Sequence, residues 1–377
     1  MTVNISRDDL KGHLSPATIT DVRHLSSYSW IKSAEEPIIA VPGIPPKWQP
    51  PMTRTQLAKD SGFQYVAQNA ARHPEIPMEP LFRAIYEADP TFDVRCIDVV
   101  TDRNNLRKLL SFVDPQLTRY SPEPFAIQAE VAGKSGTVIL NRVEAQTTEF
   151  IGPGQFVGYG HEFEKAYTTR EIPNSTGHHR IINYNFGGLS YVVRYEADAY
   201  VDPQESVPMT DDAPEDSSVT TLTSNIDDLS LDDGMILDSG PVGSRLSIRK
   251  QGRVIPLDST LEIKTRIVHK PISIVDMAPQ LWISQTPKLV RAYYSWGLFN
   301  DVFVEDTSIM INRWELANQP ALTKLAALMR LIVEVVKGLG GRCVIGYHPE
   351  ATDELVIQRM DGKPMLPLYL YSKWDTA

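Results

Sequence analysis

The stretch that decides the fold runs from Leu189 to Tyr200 and reads LSYVVRYEADAY. Its β-branched and aromatic residues predict a strand that is largely buried. Side chains on a strand alternate between its two faces, so Glu196 and Asp198 point the same way. Taken alone, two such acids also fit a solvent-exposed strand face, and the interpretation therefore depends on what the rest of the chain places beside them.

Two further segments combine acidic side chains with strand character. In the segment 261–265, Glu262 and Lys264 share one face, while the apolar residues between them share the other. A single Glu-x-Lys is usually a solvent-facing strand edge, but here it follows the acidic pair and an earlier segment, GHEFE at 160–164. If these strands are neighbours, Asp198, Glu262 and Lys264 converge on one patch, and Glu164 can join it.

Carboxylates grouped in this way are typical ligands of hard cations such as Mg²⁺ or Mn²⁺ beside a substrate phosphate. Two such ions, about 3.5–4 Å apart, stabilise the attacking and leaving oxygens of a phosphodiester displacement. A neighbouring lysine orients the water and stabilises charge on the phosphate. The pattern therefore predicts a metal-dependent nuclease.

Charge is unevenly distributed along the chain of 377 residues, whose formal net charge is −10. Residues 201–240 hold eleven acids and no Lys or Arg, so the remaining chain carries 37 basic and 36 acidic residues. The segment 201–243 also lacks aromatic residues, and we expect a disordered acidic loop there. It interrupts a single α/β (α+β) domain over 56–377, preceded by an extended, proline-rich N-terminal arm over 1–55.

The spacing of apolar residues and the positions of Gly and Pro predict the remaining helices and strands. We expect helices over 103–112, 285–295 and 321–338, and short strands at Val302–Val304 and Ile309–Ile311.

The sequence argues against several classes of protein. The longest apolar stretch, 325–336, is interrupted by Arg330 and Glu334, which argues against a membrane helix. The first residues contain no apolar run typical of a secretory signal. Two cysteines, Cys96 and Cys343, are too few for a disulfide framework, so we expect a reducing compartment, cytoplasm or nucleus.

The order of these segments resembles that of the PD-(D/E)XK nuclease superfamily, and more narrowly the decapping exoribonucleases of the DXO type. The resemblance covers roughly residues 20–315. It rests on Gly160–Glu164, Glu196-Ala197-Asp198, Glu262-Ile263-Lys264, the segment 98–110, which is similar to the one with the family's Arg-Gly motif, and the Lys-Leu-containing segment 288–294.

The resemblance implies a central mixed β-sheet flanked by helices, and decapping or 5′–3′ exonuclease activity on RNA with Mg²⁺ or Mn²⁺. It implies metal ligation by Glu164, Glu196, Asp198 and Glu262, with Lys264 positioning the water. Glu162 competes with Glu164, because both face the same side if their segment is a strand. Arg103, Lys108 and Gln285 are the implied substrate-binding residues.

Three departures from the family pattern leave alternatives open. Asn104 replaces the expected Gly after Arg103, Ser295 stands where a helical Gln is expected, with Gln285 as its substitute, and the acidic loop separates Asp198 from Glu262. One alternative is a catalytically weak or inactive scaffold on the nuclease fold that binds RNA or a partner exonuclease. The other is a DNA nuclease, because a reader of ribose 2′-hydroxyls leaves no short motif.

Overall fold

The computed structural model of the chain describes residues 1–11, 16–117, 123–202 and 237–375. The predicted acidic loop lies largely outside these ranges, at 203–236. Among the described residues, no helix has both the length and the apolar composition needed to cross a bilayer.

Strands and helices alternate along the chain. The helices are α1 (Gln68–Arg72), α2 (Glu79–Ala88), α3 (Arg103–Val113), α4 (Gly160–Tyr167), α5 (Ile274–Ser284), α6 (Ser308–Ala317), α7 (Gln319–Gly338) and α8 (Leu368–Asp375). The strands are β1 (Thr2–Ser6), β2 (Thr20–Ile31), β3 (Ile38–Gly43), β4 (Lys47–Trp48), β5 (Gly62–Tyr65), β6 (Val99–Asp102), β7 (Phe125–Ala132), β8 (Thr137–Val143), β9 (Thr148–Ile151), β10 (Thr168–Thr169), β11 (Ser175–Phe186), β12 (Leu189–Glu196), β13 (Ala199–Tyr200), β14 (Leu237–Ser239), β15 (Ser247–Gly252), β16 (Thr260–Ile267), β17 (Lys288–Ser295), β18 (Leu298–Asn300), β19 (Val304–Asp306), β20 (Arg342–His348) and β21 (Thr352–Arg359).

The larger sheet has twelve strands within the described residues, in the order β1-β21-β20-β7-β8-β6-β12-β11-β2-β3-β15-β14. It is mixed, since β12, β6 and β8 pair in parallel whereas β11 pairs antiparallel with β12. Helices cover both faces, and the predicted mixed α/β architecture is confirmed.

Strand β12, the first part of the stretch Leu189–Tyr200, follows the alternation expected of a buried strand. Tyr191, Val193 and Tyr195 pack with residues of α3, α5 and α7, and Val192 packs on the opposite face with residues of α2 and α8. Both faces are therefore covered by helices, which explains the nearly continuous apolar run.

A second, smaller sheet begins where the first one ends. It runs β10-β4-β13-β16-β17-β18, with β19 also paired to β17. Glu196 lies opposite His179 in the large sheet, and Ala199 lies opposite Leu261 in the small one. The chain therefore passes from one sheet to the other at residues 197–198, directly after Glu196.

The prediction of an N-terminal surface arm over 1–55 is wrong. This segment supplies β1, β2, β3 and β4, and β2 lies between β11 and β3 in the large sheet. Tyr28 and Trp30 are fully buried. The prolines that suggested an arm lie at 42–51, after the body of β2, so they do not interrupt its ladder.

Two local predictions are also wrong. The predicted helix 285–295 is mainly strand β17, in which Leu289 and Val290 are both fully buried because the strand is covered on both faces. The predicted strand at 309–311 lies inside helix α6. Short apolar runs fit both elements, and here tertiary packing decided between them.

Candidate active site

The acidic pair Glu196 and Asp198 lies at the junction of the two sheets. Glu196 is the last residue of β12, and Asp198 stands just before β13. Asp198 Oδ2 accepts a hydrogen bond of 2.7 Å from the backbone N–H of Ile263, in the neighbouring strand β16. This bond joins the acidic pair to the strand that carries Glu262.

Glu262 accepts hydrogen bonds from three side chains and is only 2% exposed. Lys264 Nζ donates to its Oε1 over 2.6 Å, Arg103 Nη1 donates to its Oε2 over 2.9 Å, and Gln280 Nε2 also donates to Oε1. Burial alone would raise the pKa of Glu262, but the charges of Lys264 and Arg103 outweigh it and lower the pKa to about 2. The same carboxylate raises the pKa of Lys264 against the effect of burial.

Glu164 comes from a helix rather than from the expected strand. Residues 160–167 form α4, whose Phe163 and Tyr167 pack on Leu261 and Ile263 of β16. Residues two apart on a helix point in different directions. Glu162 accordingly bonds Lys165 over 2.6 Å, whereas Glu164 lines the same pocket as Glu196 and Asp198.

We call Glu164, Glu196, Asp198 and Glu262 the carboxylate cluster. Burial raises the pKa of Glu164 to about 7, with the charges of Glu196 and Glu262 acting in the same direction and Lys264 against them. Burial and then the charge of Glu262 raise the pKa of Asp198, whereas the side chain of Glu196 is exposed at the end of β12. Within the cluster, the negative charges of neighbouring carboxylates therefore oppose the ionisation of Glu164 and Asp198.

The donor set of the cluster suits Mg²⁺ or Mn²⁺, since carboxylate oxygens are the ligands that these ions prefer. The carboxylates of the cluster also repel one another, and a divalent cation would offset that repulsion. Across the described ranges, however, no three His, Cys, Asp or Glu side chains are grouped as in a formed metal site. Glu262 is turned towards Arg103, Lys264 and Gln280 instead.

A basic pocket of about 150 Å³ lies beside the cluster, and we call it the arginine pocket. Its charged lining is Arg103, Arg107, Arg142, Arg194, Asp102 and Glu196. A second pocket of about 390 Å³, the carboxylate pocket, is lined by Glu164, Glu196 and Asp198, together with His178 and neighbouring residues. Glu196 lines both pockets and so separates them.

Of the predicted substrate-binding residues on α3, Arg103 lines the arginine pocket and Lys108 does not. Lys108 Nζ donates to Glu144 over 2.8 Å. Arg107, which was not among the predicted residues, takes the position beside Arg103. The signal was present, because residues four apart on a helix share a face and the fifth is rotated away.

Gln285 does not reach the site, contrary to the prediction. It caps α5 in a left-handed conformation (φ 52°, ψ 38°), and its side chain folds back onto the carbonyl of Trp282. Gln280, one turn earlier, bonds Glu262 instead. The missed signal was one amide side chain in the apolar run 277–283.

One protein-family model matches almost the whole chain. The model, described as Domain of unknown function (DUF8563), matches residues 11–364. The chain belongs to this family. A comparison of the DUF8563 chain with curated proteins finds no significant match.

Solved structures share the fold of this DUF8563 chain at low sequence identity. S. pombe Rai1 is 13% identical with a TM-score of 0.58, over 96% of this chain and 100% of that one. Candida albicans Rai1, solved in complex with pU5-Mn²⁺, is 11% identical with a TM-score of 0.59, over 100% and 99%. K. lactis Dxo1, solved in complex with manganese, is 8% identical with a TM-score of 0.55, over 96% and 98%. The resemblance to the PD-(D/E)XK fold of the DXO-type decapping exoribonucleases is thereby confirmed.

Proposed function

We propose that this protein is a divalent-metal-dependent hydrolase that cleaves phosphate linkages at the 5′ end of RNA. The observation that carries the proposal is the carboxylate cluster with Lys264 at the sheet junction, directly beside a pocket lined by arginines. Such a site can hold cations and phosphates next to each other. The shared fold supports the choice of RNA, since one similar structure contains pU5 and Mn²⁺.

In this proposal Glu164, Glu196, Asp198 and Glu262 hold Mg²⁺ or Mn²⁺. Once bound, the ions would supply positive charge beside the attacking and leaving oxygens of the displacement. The remaining roles, which are orienting the water and holding the carboxylates in place, are taken by side chains of the protein.

Lys264 is placed to orient the water and to donate to the phosphate. Its side chain is 35% exposed, whereas its partner Glu262 is 2% exposed, so the ammonium group is the more accessible member of this pair. Gln280 and Arg103 hold the Glu262 carboxylate in one orientation. This preorganisation lowers the cost of rearranging the site during reaction.

The proposal is tested by incubating the purified protein with 5′-triphosphorylated, capped and 5′-monophosphorylated RNA in Mg²⁺ or Mn²⁺. We expect metal-dependent products, and Glu262→Gln should lower the rate at least about 100-fold. Glu334→Gln, on the exposed face of α7, is the matched control and should keep the wild-type rate. Absence of turnover on all three RNAs, or full activity of Glu262→Gln, would refute the proposal.

A specific observation favours a second candidate, a scaffold that binds RNA or a partner exonuclease without cleaving. Glu262 already has three donors, and the described carboxylates are not grouped as in a formed metal site. Titration calorimetry with Mn²⁺ separates the two candidates. Metal binding that Glu164→Gln weakens supports the hydrolase, and RNA binding without metal binding supports the scaffold.

DNA is the remaining alternative substrate. The cluster itself does not read the sugar, so we propose RNA on the fold alone. A DNA strand of the same sequence and 5′ end, used in the same assay, decides between them: equal rates on both strands would assign a nuclease without sugar preference.

A further inference from the structure

Three exposed aromatic rings share one face of the two-stranded sheet formed by β5 and β9. Phe63 lies opposite Phe150 in the antiparallel register, and Tyr65 follows two residues later on β5, so the three side chains point the same way. Phe63 and Phe150 are 58% and 68% exposed, and Tyr65 is exposed as well. We call these three side chains the aromatic face.

The aromatic face exposes a contiguous apolar surface. Phe63 and Tyr65 contact each other edge to face, with their ring centroids 5.3 Å apart. Rings left in water forgo the free energy that their burial would contribute, and contiguous exposed apolar surface marks sites of interaction. The aromatic face therefore fits a partner that can cover it with flat groups.

Cations lie over aromatic rings at both ends of β5. At one end, the Arg72 guanidinium lies 5.0 Å from the ring centroid of Tyr65. At the other end, the Lys59 ammonium lies 5.4 Å from the ring centroid of Phe156, an exposed side chain in the segment that follows β9. Exposed rings interleaved with cations are the means by which proteins bind single-stranded nucleic acid, whose bases stack on the rings.

The segment that carries the aromatic face also lines the candidate active site. Gln64, between Phe63 and Tyr65, points to the opposite side of the strand and lines the carboxylate pocket. Residues 66–70, which follow β5, line the arginine pocket. A strand whose 5′ end is held at the carboxylate cluster therefore meets the aromatic face just beyond the wall of the pocket.

The surface next to Tyr65 is not basic as a whole. A pocket of about 340 Å³ there includes two arginines and three glutamates in its lining, which are Arg72, Arg245, Glu35, Glu36 and Glu75. Phosphates gain little from this balance, because attraction and repulsion largely cancel. A strand bound here is held by its bases, and the salt dependence of this contribution should be small.

We propose that the aromatic face binds single-stranded RNA, with bases downstream of the 5′ end stacking on Phe63, Tyr65 and Phe150. The inference rests on the proposed function, which places the 5′ end in the active site. Every base has a face that can stack, so the site accepts strands of any sequence and favours those long enough to reach it.

The first experiment measures binding without turnover, by fluorescence anisotropy in EDTA. The probes are 5′-monophosphorylated single-stranded RNAs of about 4 and about 12 nucleotides, labelled at the 3′ end. The wild type should bind the longer RNA at least about tenfold more tightly, and the double variant Phe63→Ala/Phe150→Ala should lose most of that preference. Phe63→Tyr/Phe150→Tyr, which keeps both rings, should retain it.

Phe303→Ala is the matched control for these variants. It makes the same change at a phenylalanine that is 61% exposed, between β18 and β19, and it should keep the wild-type preference. Equal wild-type affinity for the two RNAs, or an unchanged preference in the double alanine variant, overturns the proposal.

The second experiment separates stacking from phosphate contacts. A longer RNA with abasic sites in place of its downstream bases should bind the wild type no more tightly than the short RNA. Raising the salt from about 50 to about 200 mM should weaken the binding of both intact RNAs by a similar factor. Full affinity of the abasic RNA, or a much steeper salt dependence for the longer RNA, overturns stacking on the aromatic face.

The two proposals fail in different ways. If RNA is cleaved in a metal-dependent reaction but binding does not depend on the aromatic face, the hydrolase stands and the stacking site is refuted. If the longer RNA binds through Phe63 and Phe150 in a protein that cleaves no RNA, the stacking site stands and the proposed hydrolase is refuted.

Discussion

Arg103 Nη1 donates to Glu262 Oε2 over 2.9 Å, which joins the first residue of α3 to strand β16 across 159 positions of sequence. The two side chains are 15% and 2% exposed. This ion pair connects the arginine pocket to the carboxylate cluster. It also sets how much negative charge the cluster can offer to a cation.

The Arg103–Glu262 pair should contribute measurably to stability. We expect a double-mutant cycle with Arg103→Met and Glu262→Gln to give a coupling free energy of about 1–3 kcal/mol, because either single change leaves a buried charge with fewer partners. Urea unfolding at neutral pH measures it. The more solvent-accessible pair Lys165–Glu162, at 2.6 Å, is the control and should couple by about 0.5 kcal/mol or less. Equal coupling in the two cycles would contradict the expectation.

Metal binding should strengthen with pH. Burial holds the pKa of Glu164 at about 7 in the fold, against an ordinary value of 4.5. The stability that this group contributes is therefore fully present below its ordinary pKa and is lost as the pH rises through about 7. A cation must displace the same proton, so Mn²⁺ should raise Tm more at about pH 8 than at about pH 6. Glu164→Gln should remove most of that difference, and a pH-independent shift in the wild type would count against the assignment.

Gly177 should be required for the geometry of Glu196. A Cβ at this position would overlap Gln68 Oε1 and stand 2.7 Å from Glu196 Oε1. Because both atoms end flexible side chains that can move aside, we expect Gly177→Ala to cost only about 1 kcal/mol or less in urea unfolding, but to displace Glu196 and so weaken Mn²⁺ binding in calorimetry. Gly154→Ala faces open space and should change neither quantity. Wild-type metal affinity in Gly177→Ala would show that Glu196 is not held as described.

Substitution of Gln280 should change activity, whereas substitution of Gln285 should change only stability. Gln280→Leu removes a donor to Glu262 and should lower metal-dependent cleavage by about 10–100-fold. Gln285→Gly relieves a left-handed conformation and should raise the unfolding free energy by up to about 1 kcal/mol, with activity unchanged. Rate measurements and urea unfolding of both variants test this, and loss of activity in Gln285→Gly alone would restore the role predicted from sequence.

The sequence by itself determined which side chains share a face within one element. The alternation of β12 puts Glu196 on the side of Arg194 and away from Tyr195, and that of β16 separates Glu262 and Lys264 from Leu261 and Ile263. These patterns, together with their order along the chain, were enough to predict the fold class and its resemblance to the decapping exoribonucleases. The reason is that strand periodicity is a local property of the backbone.

Only the tertiary structure decided which elements meet. The site uses Arg107 rather than Lys108 and Gln280 rather than Gln285, because α3 and α5 each turn one particular face towards the sheet junction. Glu164 arrives on a helix where a strand was expected, and the segment predicted as an arm is part of the large sheet. Packing between distant elements sets these choices, since burying the apolar faces outweighs the weak preference of short segments for helix or strand.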